Sequence, residues 1–208
     1  MKIAIVKLSA LGDIIHAMVA LQFIRQKYPD CQIDWIVEEG FKGILENNPD
    51  INTIHTVNIK KAKKNKSFKL LFQEFGELRK LPKYDVVIDA QGLIKSAIVA
   101  RFIPACKRFG FDKQSIRESI ASYLYNNNIS IAYDANTIDL NVKVICKPLG
   151  IKVSSKEIVK KKYFLFSNSK IAIPKEPYIV FVIGSTWESR NYPKEKFVQV
   201  AELLQINC

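Results

Sequence analysis

Apolar positions along the chain follow two alternating rhythms. Short β-branched runs suit strands buried on both faces: K-I-A-I-V-K at 2–7, I-D-W-I-V at 33–37, I-H-T-V at 54–57 and D-V-V-I-D at 85–89. Between them apolar residues recur at helical spacing. Ile14, Ile15, Met18, Val19, Leu21, Phe23 and Ile24 predict one helix that ends at Tyr28-Pro29, and further helices are expected over 41–46, 68–79 and 93–102. Strand, turn and helix in this order predict an α/β fold, a Rossmann-like doubly wound parallel sheet with right-handed crossovers.

Beyond Gly110 the rhythm weakens. Residues 116–125 and 137–149 read as helices joined by a polar N-N-N turn, and residues 151–177 read as a linker. Lys160 to Lys162 ahead of Tyr163 suit a strand edge kept soluble by lysine. Tyr178 to Ile183 predicts a new buried strand, with Pro193 at a first helical position and a helix over 195–205. The expected organisation is a whole domain over 1–168, followed over 169–208 by the first strand–helix unit of a second one.

With 48% apolar and 25% charged residues, the chain has enough apolar surface to bury a core and is not a disordered tail. Lys and Arg number 32 against 20 acidic residues, a net charge of +12 that favours anionic partners without choosing among them. Lys60, Lys61, Lys63, Lys64, Lys66 and Lys69 concentrate this charge; a solvated loop and a binding segment are both open. No apolar run approaches the roughly 20 residues of a spanning helix, and the start lacks a signal-segment cleavage site, so a cytosolic protein is expected. Cys31, Cys106, Cys146 and Cys208 form no C-x-x-C pair, and His16 and His55 stand apart, so neither a disulfide framework nor a metal site is expected.

In open α/β sheets ligands bind beyond the carboxyl ends of strands, which singles out four loops. Leu8-Ser9-Ala10-Leu11-Gly12-Asp13 offers a glycine, a helix start and a carboxylate, but matches neither G-x-G-x-x-G nor a P-loop. Asp13 either caps the helix or serves as a general base in a cleft. Asp89 to Ser96 ends the most apolar strand on polar Asp89 and Gln91, as capping groups or ligand contacts. Either Glu38 or Glu39 could cap the segment after the second strand. Ser185, Thr186 and Arg190 suit a phosphate, with plain helix capping as the alternative.

Five motifs in order, I-V-K-L-S-A-L-G-D-I-I-H, D-W-I-V-E-E-G-F, Y-D-V-V-I-D-A-Q-G-L-I-K-S-A, R-E-S-I-A-S-Y-L-Y-N and S-T-W-E-S-R-N-Y-P-K-E-K-F, resemble glycosyltransferase family 9, the lipopolysaccharide heptosyltransferases. W-I-V-E-E-G-F and A-Q-G-L-I-K-S point to its heptosyltransferase I branch. The resemblance covers nearly the whole chain. It implies the N-terminal, acceptor-binding half of a glycosyltransferase-B fold plus the start of a nucleotide-sugar domain. It also implies inverting transfer of heptose from ADP-heptose to the first Kdo of Kdo2-lipid A, with no cofactor and no obligatory metal.

By position, Asp13 resembles the family's catalytic base, with Ser9 and Gly12 shaping the loop beside it. Lys60, Lys61, Lys63 and Lys64 stand where the family meets Kdo carboxylates and lipid A phosphates. Arg117 resembles another acceptor-side group, and Gln91 joins that set. Ser185, Thr186 and Arg190 stand where a hydroxyl pair and a Lys meet the ADP phosphates. The implied partners are ADP-heptose, Kdo2-lipid A and the anionic cytoplasmic face of the inner membrane, to which the protein would bind peripherally; nucleic acid is not implied. The family's later D-T-G-L-S-H-like motif would fall beyond Cys208, so poor transfer by this chain alone is expected. A non-catalytic module gripping anionic glycolipid is the alternative.

Overall fold

The computed structural model describes residues 1–131, 136–168, 174–182, 184 and 191–204. It divides into two units, 1–168 and 169–208. In the first, six parallel strands run β1 (Lys2–Val6), β2 (Gln32–Glu38), β3 (Thr53–Val57), β4 (Tyr84–Asp89), β5 (Ala105–Phe111) and β6 (Asn127–Ile129). Their order is β3-β2-β1-β4-β5-β6, so the order reverses beside β1 and opens a crevice there.

Alternation along the strands feeds two cores. Ile3, Ile5, Ile33, Trp35, Val37, Val86 and Ile88 face one side, where α1 (Leu11–Met18), α2 (Ala20–Lys27) and α6 (Thr137–Cys146) pack. Ala4, Val6, Ile36 and Val87 face the other, against α3 (Ile59–Lys64), α4 (Phe68–Arg79) and α5 (Ile94–Phe102). Each fully buried Ile or Val contributes roughly 1.5–3 kcal/mol, and because both faces are covered the strands read as apolar runs. Trp35 satisfies its one polar atom by donating Nε1–H to the Lys7 carbonyl at 3.3 Å.

Several expectations are corrected. The single helix after β1 is divided at Val19, whose φ of −56° and ψ of −27° remain helical. The short helix after β2 is a 3-10 helix over Glu39–Ile44, and a second one over Ser119–Leu124 replaces the expected helix at 116–125. Strands β5 and β6 stand where none was expected; part of the N-N-N turn is β6 itself, made a strand by backbone pairing with β5. The lysine-rich segment is helical rather than a loop.

Residues 151–168 belong to the first unit and are not linker. Ile158 of α7 (Ser155–Val159) is buried, Asn48 donates Nδ2–H to the Phe164 carbonyl at 3.0 Å, and Lys162 N–H reaches Gln22 Oε1 at 3.0 Å. Lys160 to Lys162 follow that helix and edge no strand.

In the second unit α8 covers Lys194–Leu203, with Pro193 just outside it as N-cap. Tyr178 to Val182 form no strand and, apart from the half-buried Phe181, are exposed, Val182 by 82%. A β-branched run becomes a strand only where a neighbour takes its N–H and C=O groups, and no strand accompanies it among the described residues of 169–208. No helix among the described residues is long and apolar enough to cross a membrane.

Candidate functional site

The loops after β1 and β4 meet at the strand-order reversal, and one side chain joins them. Gln91 Oε1 accepts the N–H groups of Leu8 at 2.8 Å and Ser9 at 3.0 Å, while its Nε2–H donates to Ser9 Oγ at 3.3 Å. Lys95 Nζ donates to the same hydroxyl at 3.3 Å. Ser9 is buried and its side chain is thus held from two directions.

Asp13 follows in the first turn of α1, half-buried, at the carboxyl edge of the sheet. Its carboxylate accepts the Ala10 N–H at 3.4 Å, a long contact that leaves most of its accepting capacity unused. Capping and an accessible carboxylate therefore coexist in one side chain. Gly12 lies within α1 with nothing within 4 Å of where a Cβ would stand. It therefore belongs to the helix rather than to the loop it was expected to shape, and it leaves the surface beside Asp13 clear.

A buried charged layer lies beneath. Lys7, 6% exposed, donates from Nζ to the Ala90 carbonyl at 2.8 Å. Burial lowers its pKa, opposed by the carboxylates of Asp13 and Asp89. Asp89 is wholly buried and accepts from Tyr125 O–H at 2.7 Å, Ser96 Oγ–H at 2.8 Å, Gln91 N–H at 2.8 Å and Gly92 N–H at 3.3 Å. Burial raises its pKa while these donors favour the charged form. Burial and the nearby Asp89 push the Tyr125 hydroxyl upward, so it stays a donor. Gly92 holds φ +69° with Ile116 and Phe111 crowding its missing Cβ, which makes the turn that delivers both amides a glycine position.

The lysine helix is fixed from β2. Glu38 is buried and accepts the Lys60 N–H at 3.2 Å, satisfying a donor at the start of α3. Burial raises its pKa. Lys60 Nζ lies 4.5 Å from the Phe41 ring centroid, and Lys60, Lys61, Lys63 and Lys64 are all exposed. α3 follows β3, two strands from β1, so at a strand spacing of about 4.8 Å it starts roughly 10 Å across the same edge from the Asp13 loop. Arg117 is exposed on the connection after β5; its neighbour Glu118 accepts the Ile94 N–H at 2.7 Å, tying that connection to the start of α5.

Ser185, Thr186 and Arg190 lie outside the described residues. Among the described residues no cluster of His, Cys, Asp and Glu could hold a metal ion. At the opposite half of the sheet the buried Asp34 accepts from the buried Tyr84 O–H at 2.6 Å and lies 3.4 Å from Nε2 of the half-buried His55, a structural triad. Burial alone would raise the Asp34 pKa, but hydrogen bonds from His55, Tyr84 and Gln32 outweigh it and hold the carboxyl below its usual value.

Sequence reasoning missed Lys7 and Lys95. Lys7 could have been found as the charged residue closing an apolar parallel strand, where burial is the rule.

A sheet of this order, with a carboxylate and cations on its carboxyl edge at the reversal point, defines a Rossmann-like ligand-binding domain. The chain belongs to glycosyltransferase family 9 (heptosyltransferase), whose profile matches residues 75–207. It is 38% identical to lipopolysaccharide heptosyltransferase 1 of Campylobacter coli over 98% of this chain and 60% of that protein. It is 32% identical to the Pseudomonas aeruginosa protein of the same name, over 97% and 57% respectively. Among solved structures, E. coli heptosyltransferase WaaC with ADP-2-deoxy-2-fluoro heptose aligns with a TM-score of 0.83 at 30% identity, over 99% of this chain and 66% of that one. The chain thus spans about three-fifths of the length of these curated relatives.

Proposed function

We propose that the protein transfers L-glycero-D-manno-heptose from ADP-heptose to the first Kdo of Kdo2-lipid A, with inversion at the anomeric carbon. The observation that carries this reading is the half-buried Asp13 carboxylate, held at the crevice by one long hydrogen bond, on the same sheet edge as four exposed lysines. Family membership and the relatives' heptosyltransferase names support it.

In this mechanism Asp13 takes the proton of the acceptor hydroxyl as its oxygen attacks the anomeric carbon. The bond from that carbon to the diphosphate breaks on the opposite face, and ADP leaves with the electron pair. Lys60, Lys61, Lys63, Lys64 and Arg117 meet acceptor carboxylates and phosphates. Gln91 and Lys95 hold Ser9 and so fix the loop that carries Asp13. Ser185, Thr186 and Arg190 are assigned to the ADP phosphates from the motif. The acceptor's location puts the protein against the cytoplasmic face of the inner membrane.

A second reading, a non-catalytic module gripping anionic glycolipid, draws on the lysine helix alone. Mass spectrometry of Kdo2-lipid A after incubation with ADP-heptose separates the two. One added heptose at low yield, absent with Asp13→Ala, is the expected result; acceptor binding with no heptose added contradicts transfer and favours the module.

A further inference from the structure

The sugar-transfer reading leaves two exposed rings beside the lysine helix unused. Phe68 and Phe72 stand one turn apart on α4 and are 77% and 74% exposed, while Leu71, Phe75 and Leu78 of the same helix face the core. A mainly apolar depression of about 410 Å³ adjoins Phe68, bounded by Ile59, Ala62, Lys63, Lys66 and Leu71. Two large rings left in water beside such a depression mark an interaction surface rather than scattered exposure.

The charge around the rings identifies the occupant. Between Asp50 and Glu74 the sequence holds six lysines and no acidic residue. Lys61, Lys63, Lys64, Lys66 and Lys69 form no ion pair among the described residues. Lys63 and Lys66 line the same depression as Phe68, so cations and ring share one face. Aromatic rings beside flexible lysines match an anionic interface, where the rings enter the acyl boundary and the ammonium groups stay with phosphates.

We propose that α3 and the first turns of α4 dock the protein onto an anionic lipid bilayer, with Phe68 and Phe72 inserted and the surrounding lysines on headgroup phosphates. This rests on the acceptor being a membrane lipid, as in the function proposed above. Insertion of each ring contributes about tenfold or more in affinity, and each lysine near an anionic leaflet about fivefold.

The test is sedimentation with vesicles of phosphatidylethanolamine and phosphatidylglycerol, beside phosphatidylcholine vesicles, for the wild type and Phe68→Ser/Phe72→Ser. Circular dichroism checks that the variant is folded, which the exposure of both rings favours. The expected result is docking to the anionic vesicles alone, weakened by salt and about 100-fold or more weaker in the double variant. Equal docking of variant and wild type, or equal docking to both vesicle types, overturns the proposal. Heptose transfer to an acyl-free Kdo acceptor keeps the two readings apart. Transfer without ring-dependent docking refutes the docking surface alone, and ring-dependent docking without transfer supports the surface while refuting the transferase.

Discussion

Gln91 Oε1 accepts the Leu8 N–H at 2.8 Å and the Ser9 N–H at 3.0 Å, so one carboxamide from the end of β4 holds the loop that leads to Asp13. Gln91→Ala leaves both donors without that partner, at a cost of about 1–3 kcal/mol. It also releases the Ser9 hydroxyl on one side. The expected outcome is a lower urea midpoint together with a loss of up to about 100-fold in transfer rate, since a shift of about 1 Å at a reacting group has that effect. A variant with wild-type stability and rate contradicts the latch.

Lys7 yields a pH prediction. Burial lowers its pKa from the ordinary lysine value of 10.5, so below its folded pKa the charged form is disfavoured in the folded state. Between that depressed value and 10.5 the unfolded chain holds the extra proton, and stability rises with pH. Lys7→Met removes this proton. As pH rises through the depressed folded value toward 10.5, the wild type is expected to gain stability relative to Lys7→Met in urea unfolding. A constant difference contradicts a buried ammonium at this place.

Tyr125 binds Asp89 from a position that Gly110 makes available. A Cβ at Gly110 would stand 2.3 Å from the Tyr125 ring. Gly110→Ala is expected to destabilise by about 1–3 kcal/mol through overpacking. Tyr125→Phe is expected to cost about 1.5–3 kcal/mol by removing one donor from a buried carboxylate. Chemical denaturation reads both, and a neutral Tyr125→Phe contradicts a stabilising Tyr125–Asp89 hydrogen bond.

For the lysine helix, Lys61→Ala/Lys63→Ala/Lys64→Ala is expected to weaken acceptor binding about tenfold, summing exposed contacts of up to about 1 kcal/mol each. It should also flatten the salt dependence. Titration of Kdo2-lipid A at low and high salt measures this, and unchanged affinity contradicts the assignment.

The strands β1 to β4 were legible because parallel strands covered on both faces leave uninterrupted apolar runs, and α4 because its helical spacing is regular. β5 and β6 were not, since Cys106 and Lys107 are exposed and Asn127–Ile129 is short and mostly polar; backbone pairing makes them strands, and no side-chain pattern records that. At the candidate site, the placing of Asp13 at a helix start after β1 and the charge of the lysine segment could be read from the sequence. The Gln91–Ser9 latch could not, because it joins residues 82 apart in sequence whose meeting depends on strand order. The role of Glu38 in fixing α3 was equally hidden, since a glutamate ending a strand has several local capping partners.

The central claim is that Asp13 is the base. The direct test is the single-turnover rate of heptose transfer by Asp13→Asn under saturating acceptor, with Kdo2-lipid A affinity measured in parallel. Asparagine keeps the shape and the Ala10 contact but cannot take the proton, so the rate should fall about 100- to 10,000-fold with affinity retained. A rate within a few fold of wild type would contradict the assignment.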